Sequence, residues 1–108
     1  LAFEPTHLLH LAAQPGIRYS MENPIAYIKA NVEGFTHILE FIRHNPHISL
    51  TYASTSSVYG LNSHLPYSVH ERTDHQASFY GVTKRCNELM AANYVHLYGI
   101  RAVGLRFF

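Results

Sequence analysis

Tyr80 and Lys84 stand four residues apart in the run Tyr80-Gly81-Val82-Thr83-Lys84, a spacing that places both on one face of a helix. A phenol ionises at about pH 10 unaided, and a nearby cation favours the phenolate. The pair therefore reads as a base usable near neutrality, with the Lys84 ammonium beside Tyr80 and beside whatever occupies the cleft. Tyr and Lys at this spacing also occur by chance in many helices, so context decides. Upstream lies Ala53-Ser54-Thr55-Ser56-Ser57-Val58-Tyr59-Gly60, rich in hydroxyls. Such a run can be an ordinary turn or helix cap. It can also supply Thr55 to hydrogen-bond a substrate alcohol while Tyr80 removes its proton.

Elements that would position these groups are readable from pattern. Thr6 to Ala13 is a short apolar run closed by Pro15-Gly16, which predicts a largely buried strand and then a loop. Asn23 offers a side-chain cap, Pro24 suits the first helical position, and Ile25, Ile28, Val32, Phe35, Leu39 and Ile42 repeat at threes and fours. A helix with one apolar face follows, ending at Asn45-Pro46. Ile48 to Ala53 predicts the second strand. From Gly60 to Gln76 the composition is that of a long surface loop. Ser78 to Tyr98 predicts a second long helix, with Val82, Cys86, Leu89, Met90 and Leu97 along its inner side and Gly99 ending it. Ala102 to Phe107 predicts a third strand.

Strand, helix, strand, helix, strand implies an α/β fold with a parallel sheet covered by helices. Ligands in that architecture sit beyond the carboxyl ends of the strands. The segments after the first two strands, Ala12 to Arg18 and Ser54 to Tyr59, are thus the places to look for chemistry.

The bulk numbers narrow the function classes. The chain has 108 residues, 47% hydrophobic and 14% charged, with net charge +1, so it is one domain or part of one. Its eight Lys and Arg are scattered, which argues against a nucleic-acid partner. Glu4, His7, His10 and Gln14 interrupt the most apolar stretch, so no membrane span or signal segment is expected. The single Cys86 fits a reducing compartment and a core position. His7 with His10 and His44 with His47 are three apart, but strand geometry separates the first pair and a proline turn interrupts the second, so no metal site is expected. Both ends, Leu1 and the strand-like Phe107-Phe108, are expected to be cuts through a larger protein.

His10-Leu11-Ala12-Ala13-Gln14, Asn31 in the next helix, Ser54-Thr55-Ser56-Ser57-Val58-Tyr59-Gly60, the Tyr80 to Lys84 motif and Gly104-Leu105-Arg106-Phe107-Phe108 occur in that order. Together they resemble the extended short-chain dehydrogenase/reductases of the NAD-dependent epimerase/dehydratase kind, and within these the UDP-glucuronate 4-epimerases. The resemblance spans nearly the whole chain. It implies a Rossmann-like, doubly wound parallel sheet with flanking helices, of which residues 1–108 are the central catalytic part. The Gly-rich phosphate-binding turn would precede Leu1 and the nucleotide-gripping region would follow Phe108. The chain by itself is accordingly expected to be inactive.

By the same resemblance Thr55, Tyr80 and Lys84 are the catalytic set, with Lys84 holding the nicotinamide ribose. Leu11, Ala12, Ala13, Asn31 and Phe107 would lie along NAD. Arg18 is either a solvated surface charge or a contact to the sugar acid or diphosphate. Ser56 and Ser57 stand where dehydratases of this family carry Asp-Glu, and hydroxyls do not supply the acid and base that elimination needs. The implied activity is inversion at C4 of a nucleotide sugar through a transient 4-keto sugar, UDP-glucuronate to UDP-galacturonate, in a cytoplasmic homodimer. UDP-glucose or UDP-N-acetylglucosamine as substrate, another dehydratase-type reaction, or a non-catalytic NAD-binding protein are the alternatives.

Overall fold

The computed structural model describes residues 3–60 and 76–108. Three strands, β1 (His7–His10), β2 (Ser49–Thr55) and β3 (Ala102–Phe107), form a parallel sheet in the order β1-β2-β3. In register, Leu9 pairs with Thr51 and Thr51 with Val103, while Thr55 pairs with Phe107 at the carboxyl end. The helices are α1 (Ile17–Glu22), α2 (Pro24–Tyr27), α3 (Gly34–Arg43) and α4 (Phe79–Tyr98), with a π turn Ile28–Glu33 joining α2 to α3 and a 3-10 turn Ser56–Tyr59 after β2. The predicted α/β class and parallel sheet are thus present. The loop expected from Gly60 to Gln76 falls, at 61–75, outside the described residues.

The core lies between α3, α4 and one face of the sheet, built from Phe35, Leu39, Ile42, Ile48, Leu50, Tyr52, Ala91 and Ile100. Burying each large apolar side chain contributes about 1.5–3 kcal/mol. Phe35 and Tyr52 meet with ring centroids 5.0 Å apart. Across β2 and β3 the Tyr52 ring lies over its partner Gly104, where an added Cβ would come within 2.6 Å of the ring. Only a glycine admits that tyrosine.

Four expectations need correction. The first strand is His7–His10 rather than Thr6 to Ala13, and it is not buried: Leu9 is 64% exposed. It is an edge of the described sheet, hydrogen-bonded only to β2. Second, a short helix, α1, occupies the expected loop, starting after Gly16 with its φ of 102°. Third, Ile25 and Ile28 point to solvent, and the buried stripe is Tyr27, Asn31, Phe35, Leu39 and Ile42. A step of four overshoots a 3.6-residue turn by about 40°; the wider π turn absorbs that drift and brings Tyr27 and Asn31 inward. Fourth, α4 is rotated away from the expected facing, and of the expected inner set only Met90 packs against the core. Val82, Leu89 and Leu97 are exposed and Cys86 is half-buried, whereas Gly81, Thr83, Lys84, Asn87 and Ala91 face inward. Thr83 and Asn87 on that face have hydrogen-bond partners, which offset the desolvation that burial imposes.

Among the described residues no helix is long and apolar enough to cross a membrane.

Candidate active site

Thr55 closes β2 in an extended conformation and caps the following 3-10 turn, its Oγ1 accepting from the Ser57 N–H at 3.2 Å. Opposite it α4 begins. Ser78 caps the helix by accepting from the Gly81 N–H at 3.0 Å, a standard way to satisfy a free helix donor. Gly81 lets the two turns approach, because a Cβ there would stand 2.9 Å from the Ser57 carbonyl oxygen. The approach brings the Thr55 hydroxyl within reach of the Tyr80 phenol. The Tyr80 ring also meets the edge of Tyr27, with centroids 6.2 Å apart.

Burial pushes the Tyr80 phenol above its ordinary range; the Thr55 hydrogen bond works the other way and Tyr27 adds to the rise. This corrects the expectation that Lys84 lowers the phenol. The Lys84 ammonium couples instead to Glu88, which supports its charge, and to His10 at the end of β1. Lys84 itself is 5% exposed, and burial pulls it below the usual lysine value. No hydrogen bond or ion pair to its ammonium is made among the described residues.

Asn31 is 2% exposed and fully engaged. Its Oδ1 accepts from the Gln14 N–H at 2.7 Å, and its Nδ2 donates to the Gln14 carbonyl at 3.1 Å and to Thr83 Oγ1 at 3.1 Å. Asn87 Nδ2 in turn donates to the Asn31 carbonyl at 2.6 Å. Tyr27 supports the same loop, its hydroxyl lying 2.6 Å from the Pro15 carbonyl and 2.8 Å from that of Gly16. The π turn therefore clamps the segment after β1 and ties it to α4. Leu11 and Ala12 stay exposed on that segment and Ala13 is half-buried. Asn31 acts on this loop through Gln14 rather than presenting a free amide of its own.

Ser56 and Ser57 line a cleft of about 240 Å³ with Ile17, Gly60, Ala77 and Ser78. Phe107 is exposed beside Thr55 on the neighbouring strand. Arg18 lies exposed on α1 and is not brought into this group.

Glu88 was not singled out by sequence reasoning, yet it organises the back of the site. It receives Ser54 Oγ at 2.7 Å, Arg106 Nε at 2.9 Å and Nη2 at 3.0 Å, and Arg85 Nη1 at 3.1 Å. Arg106 also lies over the Tyr59 ring, 4.9 Å from its centroid. The available signal was an acid four residues after Lys84, which usually reads as a solvated i,i+4 pair.

The chain matches the family model described as GDP-mannose 4,6 dehydratase over residues 2–108. It is 50% identical over 104 residues to UDP-glucuronate 4-epimerase 3 of Arabidopsis thaliana, covering 95% of this chain and 24% of that protein. The chain thus spans about a quarter of the length of that relative. Among solved structures it is similar to UDP-glucuronic acid 4-epimerase from Bacillus cereus in complex with UDP-glucuronic acid and NAD, with TM-score 0.87 and 33% identity over 95% of this chain and 32% of that one. It is also similar to UDP-glucose 4-epimerase from Brucella ovis in complex with NAD, with TM-score 0.88 and 34% identity over 96% of this chain and 32% of that one.

Proposed function

The chain belongs to the GDP-mannose 4,6 dehydratase family, and on that premise we propose that the protein it is part of is an NAD-dependent nucleotide-sugar 4-epimerase that acts on UDP-glucuronate. The observation that carries this reading is the Tyr80 phenol facing Thr55 at the mouth of the parallel sheet, with Lys84 one helical turn away.

Lys84 tests the fit of the cofactor. A buried ammonium without a hydrogen-bonded acceptor is costly, and the hydroxyls of a nicotinamide ribose would relieve it. Leu11, Ala12 and Ala13, on the loop that Asn31 and Tyr27 hold, would lie along NAD, with Phe107 on its nicotinamide side. A bound NAD would supply the hydride acceptor and donor for C4 of the sugar. Tyr80 removes the 4-hydroxyl proton and later gives it back. Thr55 holds that oxygen and favours the phenolate against burial.

Ser56 and Ser57 support the sugar acid as substrate. Neutral donors at the cleft solvate a carboxylate, each worth about 1.5–3 kcal/mol, whereas an acidic pair would repel it. Arg18, on the adjoining helix, is a further candidate for the acid or the diphosphate. Two of the relatives bear the same name for their substrate.

Steady-state rates of the intact protein on UDP-glucuronate and UDP-glucose test both levels. Tyr80→Phe should lower turnover by about a hundredfold or more with substrate binding largely kept. Replacing Ser56 and Ser57 together with alanine should erode the preference for the acid more than the rate on the neutral sugar. Near-normal turnover in Tyr80→Phe sinks the mechanism. A wild type that prefers UDP-glucose sinks the substrate alone.

A further inference from the structure

Thr55 and Phe107 form the last paired rung of β2 and β3, and the rung before it pairs Ser54 with Arg106. Both members of that earlier rung are gripped by one carboxylate. Glu88 Oε2 accepts from Ser54 Oγ and Arg106 Nε, and Oε1 accepts from Arg106 Nη2. Glu88 sits one turn beyond Lys84 and two beyond Tyr80 on α4. Its side chain is 11% exposed, and Arg85 from its own helix completes the set.

We propose that Glu88 is the positioning residue of the site, locking the helix that carries Tyr80 and Lys84 to the two strands that carry Thr55 and Phe107. The proposal rests on the reading of Tyr80, Thr55 and Lys84 given above. Three charge-assisted or hydroxyl bonds to a fixed fork resist sliding of α4 along the sheet, which apolar contacts alone do not. A misplacement of about 1 Å at a reacting group can lower a rate by about a hundredfold, so a tie one rung away bears directly on turnover.

The same carboxylate reaches the site electrically. Glu88 supports the charge of Lys84, which burial opposes. The groups around Glu88 are Lys84 and Arg85 on α4, Ser54 and Tyr52 on β2, and Arg106 on β3. Tyr52 is pushed up to about 12, by burial first and then by Glu88, so it stays neutral while Lys84 titrates. His10 on β1 also faces Lys84, and burial together with that cation holds it below its ordinary value. Neither residue therefore sets the alkaline limb.

The test is Glu88→Gln in the intact enzyme loaded with NAD, read as kcat, KM and the pH profile of kcat beside a melting curve. Turnover should fall by about tenfold with KM changed by less than about threefold. The alkaline limb should move to lower pH, because Lys84 loses its proton more readily without the carboxylate. A folded variant whose melting point drops while kcat and the alkaline limb stay put overturns the proposal, since a merely structural tie would behave that way. Should Glu88→Gln not fold, Ser54→Ala keeps the ion pairs and removes the tie to β2. It should lower kcat by about threefold with the alkaline limb unmoved, and unchanged kcat overturns the proposal. Tyr80→Phe run in parallel separates the two levels. If it lowers turnover by about a hundredfold while Glu88→Gln leaves kcat unchanged, the positioning role fails and the catalytic reading stands; if it leaves turnover intact, the catalytic reading itself has failed.

Discussion

Two clusters of nearly the same chemistry touch α4, one at its middle and one in its last turns. At the far end Glu40 pairs with Arg43 at 3.4 Å, accepts from the Tyr94 hydroxyl at 2.7 Å, and Arg43 lies 4.1 Å over the Tyr98 ring. At the middle Glu88 pairs with Arg106 at 2.9 Å, accepts from the Ser54 hydroxyl, and Arg106 lies over Tyr59. The difference is water. Glu40 and Arg43 side chains are 38% and 40% exposed, Glu88 and Arg106 only 11% and 21%. Solvent screens the first set, so it trims a surface. The second is desolvated and each partner is obligatory to the other, so it fixes strands and helix in one arrangement.

The largest expected effect follows from that asymmetry. Arg106→Ala leaves Glu88 charged in a half-dry place with only Arg85 and Ser54, and breaking such a pair destabilises by about 3 kcal/mol. Urea unfolding of the intact protein reads it. A loss below about 1 kcal/mol, the surface range, would make the two clusters equivalent and remove the contrast.

This contrast also marks what the sequence can and cannot reveal. Ala102 to Phe107 was read with its bounds, because a β-branched and apolar run after a helix-ending Gly99 admits little else. Ser78 and Gly99 bracketed α4 for similarly local reasons. That Thr55 would stand at a strand's end and Tyr80 and Lys84 would share a helix was legible because strand ends and i,i+4 helix faces are local patterns. The facing of α4 was not. Apolar periodicity pointed Val82 and Leu89 inward, but Thr83 and Asn87 find partners 52 and 56 residues away, and no local pattern contains such pairings. Glu88 stayed hidden for the same reason, since Arg106 is a strand residue whose nearness arises only when the sheet forms. The short α1 has no side-chain cap bond and no acid in its first turn, so it lacks the usual signals of a helix start.

A second prediction moves the two ends of the site apart without touching a charge. Gly81→Ala gains about 1 kcal/mol of helix propensity, but the new Cβ meets a backbone carbonyl at 2.9 Å, and overpacking of that kind costs about 1–3 kcal/mol. Net destabilisation of about 1 kcal/mol is expected. Turnover in the intact protein should fall by about tenfold or more, because Tyr80 is the preceding residue and Thr55 heads the turn that must give way. Stability lost without any change in kcat would mean that the carbonyl yields and the Tyr80–Thr55 contact survives.

A smaller effect separates the two carboxylates by pH. Burial raises Glu88, but hydrogen bonds from Arg106 and Ser54 outweigh it and the group ionises below its usual value. A folded value below the unfolded one means that Glu88 contributes stability in full above the ordinary carboxylate range, and that this is lost as pH falls through it toward the folded value. Glu40 is lowered too, chiefly by Tyr94, but at the surface. Urea midpoints from about pH 7 down to about pH 3 should therefore decline less steeply in Glu88→Gln than in wild type, while Glu40→Gln keeps nearly the wild-type slope. Equal flattening in both variants would show that burial does not distinguish them.

The smallest effect is expected at Arg43, and its smallness is informative. Arg43→Ala removes an exposed ion pair, worth about 0.2–1 kcal/mol, and an exposed contact to the Tyr98 ring of about 0.5–1 kcal/mol. These share one side chain whose entropy is released on truncation, so the sum is not additive and less than about 1 kcal/mol should be lost. Tyr94 remains to satisfy Glu40, and water solvates what is left. No change in kcat should accompany the loss, because the last turn of α3 and the last turns of α4 lie toward the opposite end of the sheet from Thr55. Raising salt to about 1 M should shrink the effect further, since the screening length falls to about 3 Å, whereas Arg106→Ala should keep most of its penalty. A salt-insensitive loss at Arg43 as large as that at Arg106 would mean that residue identity, not burial, decides what such a cluster is worth.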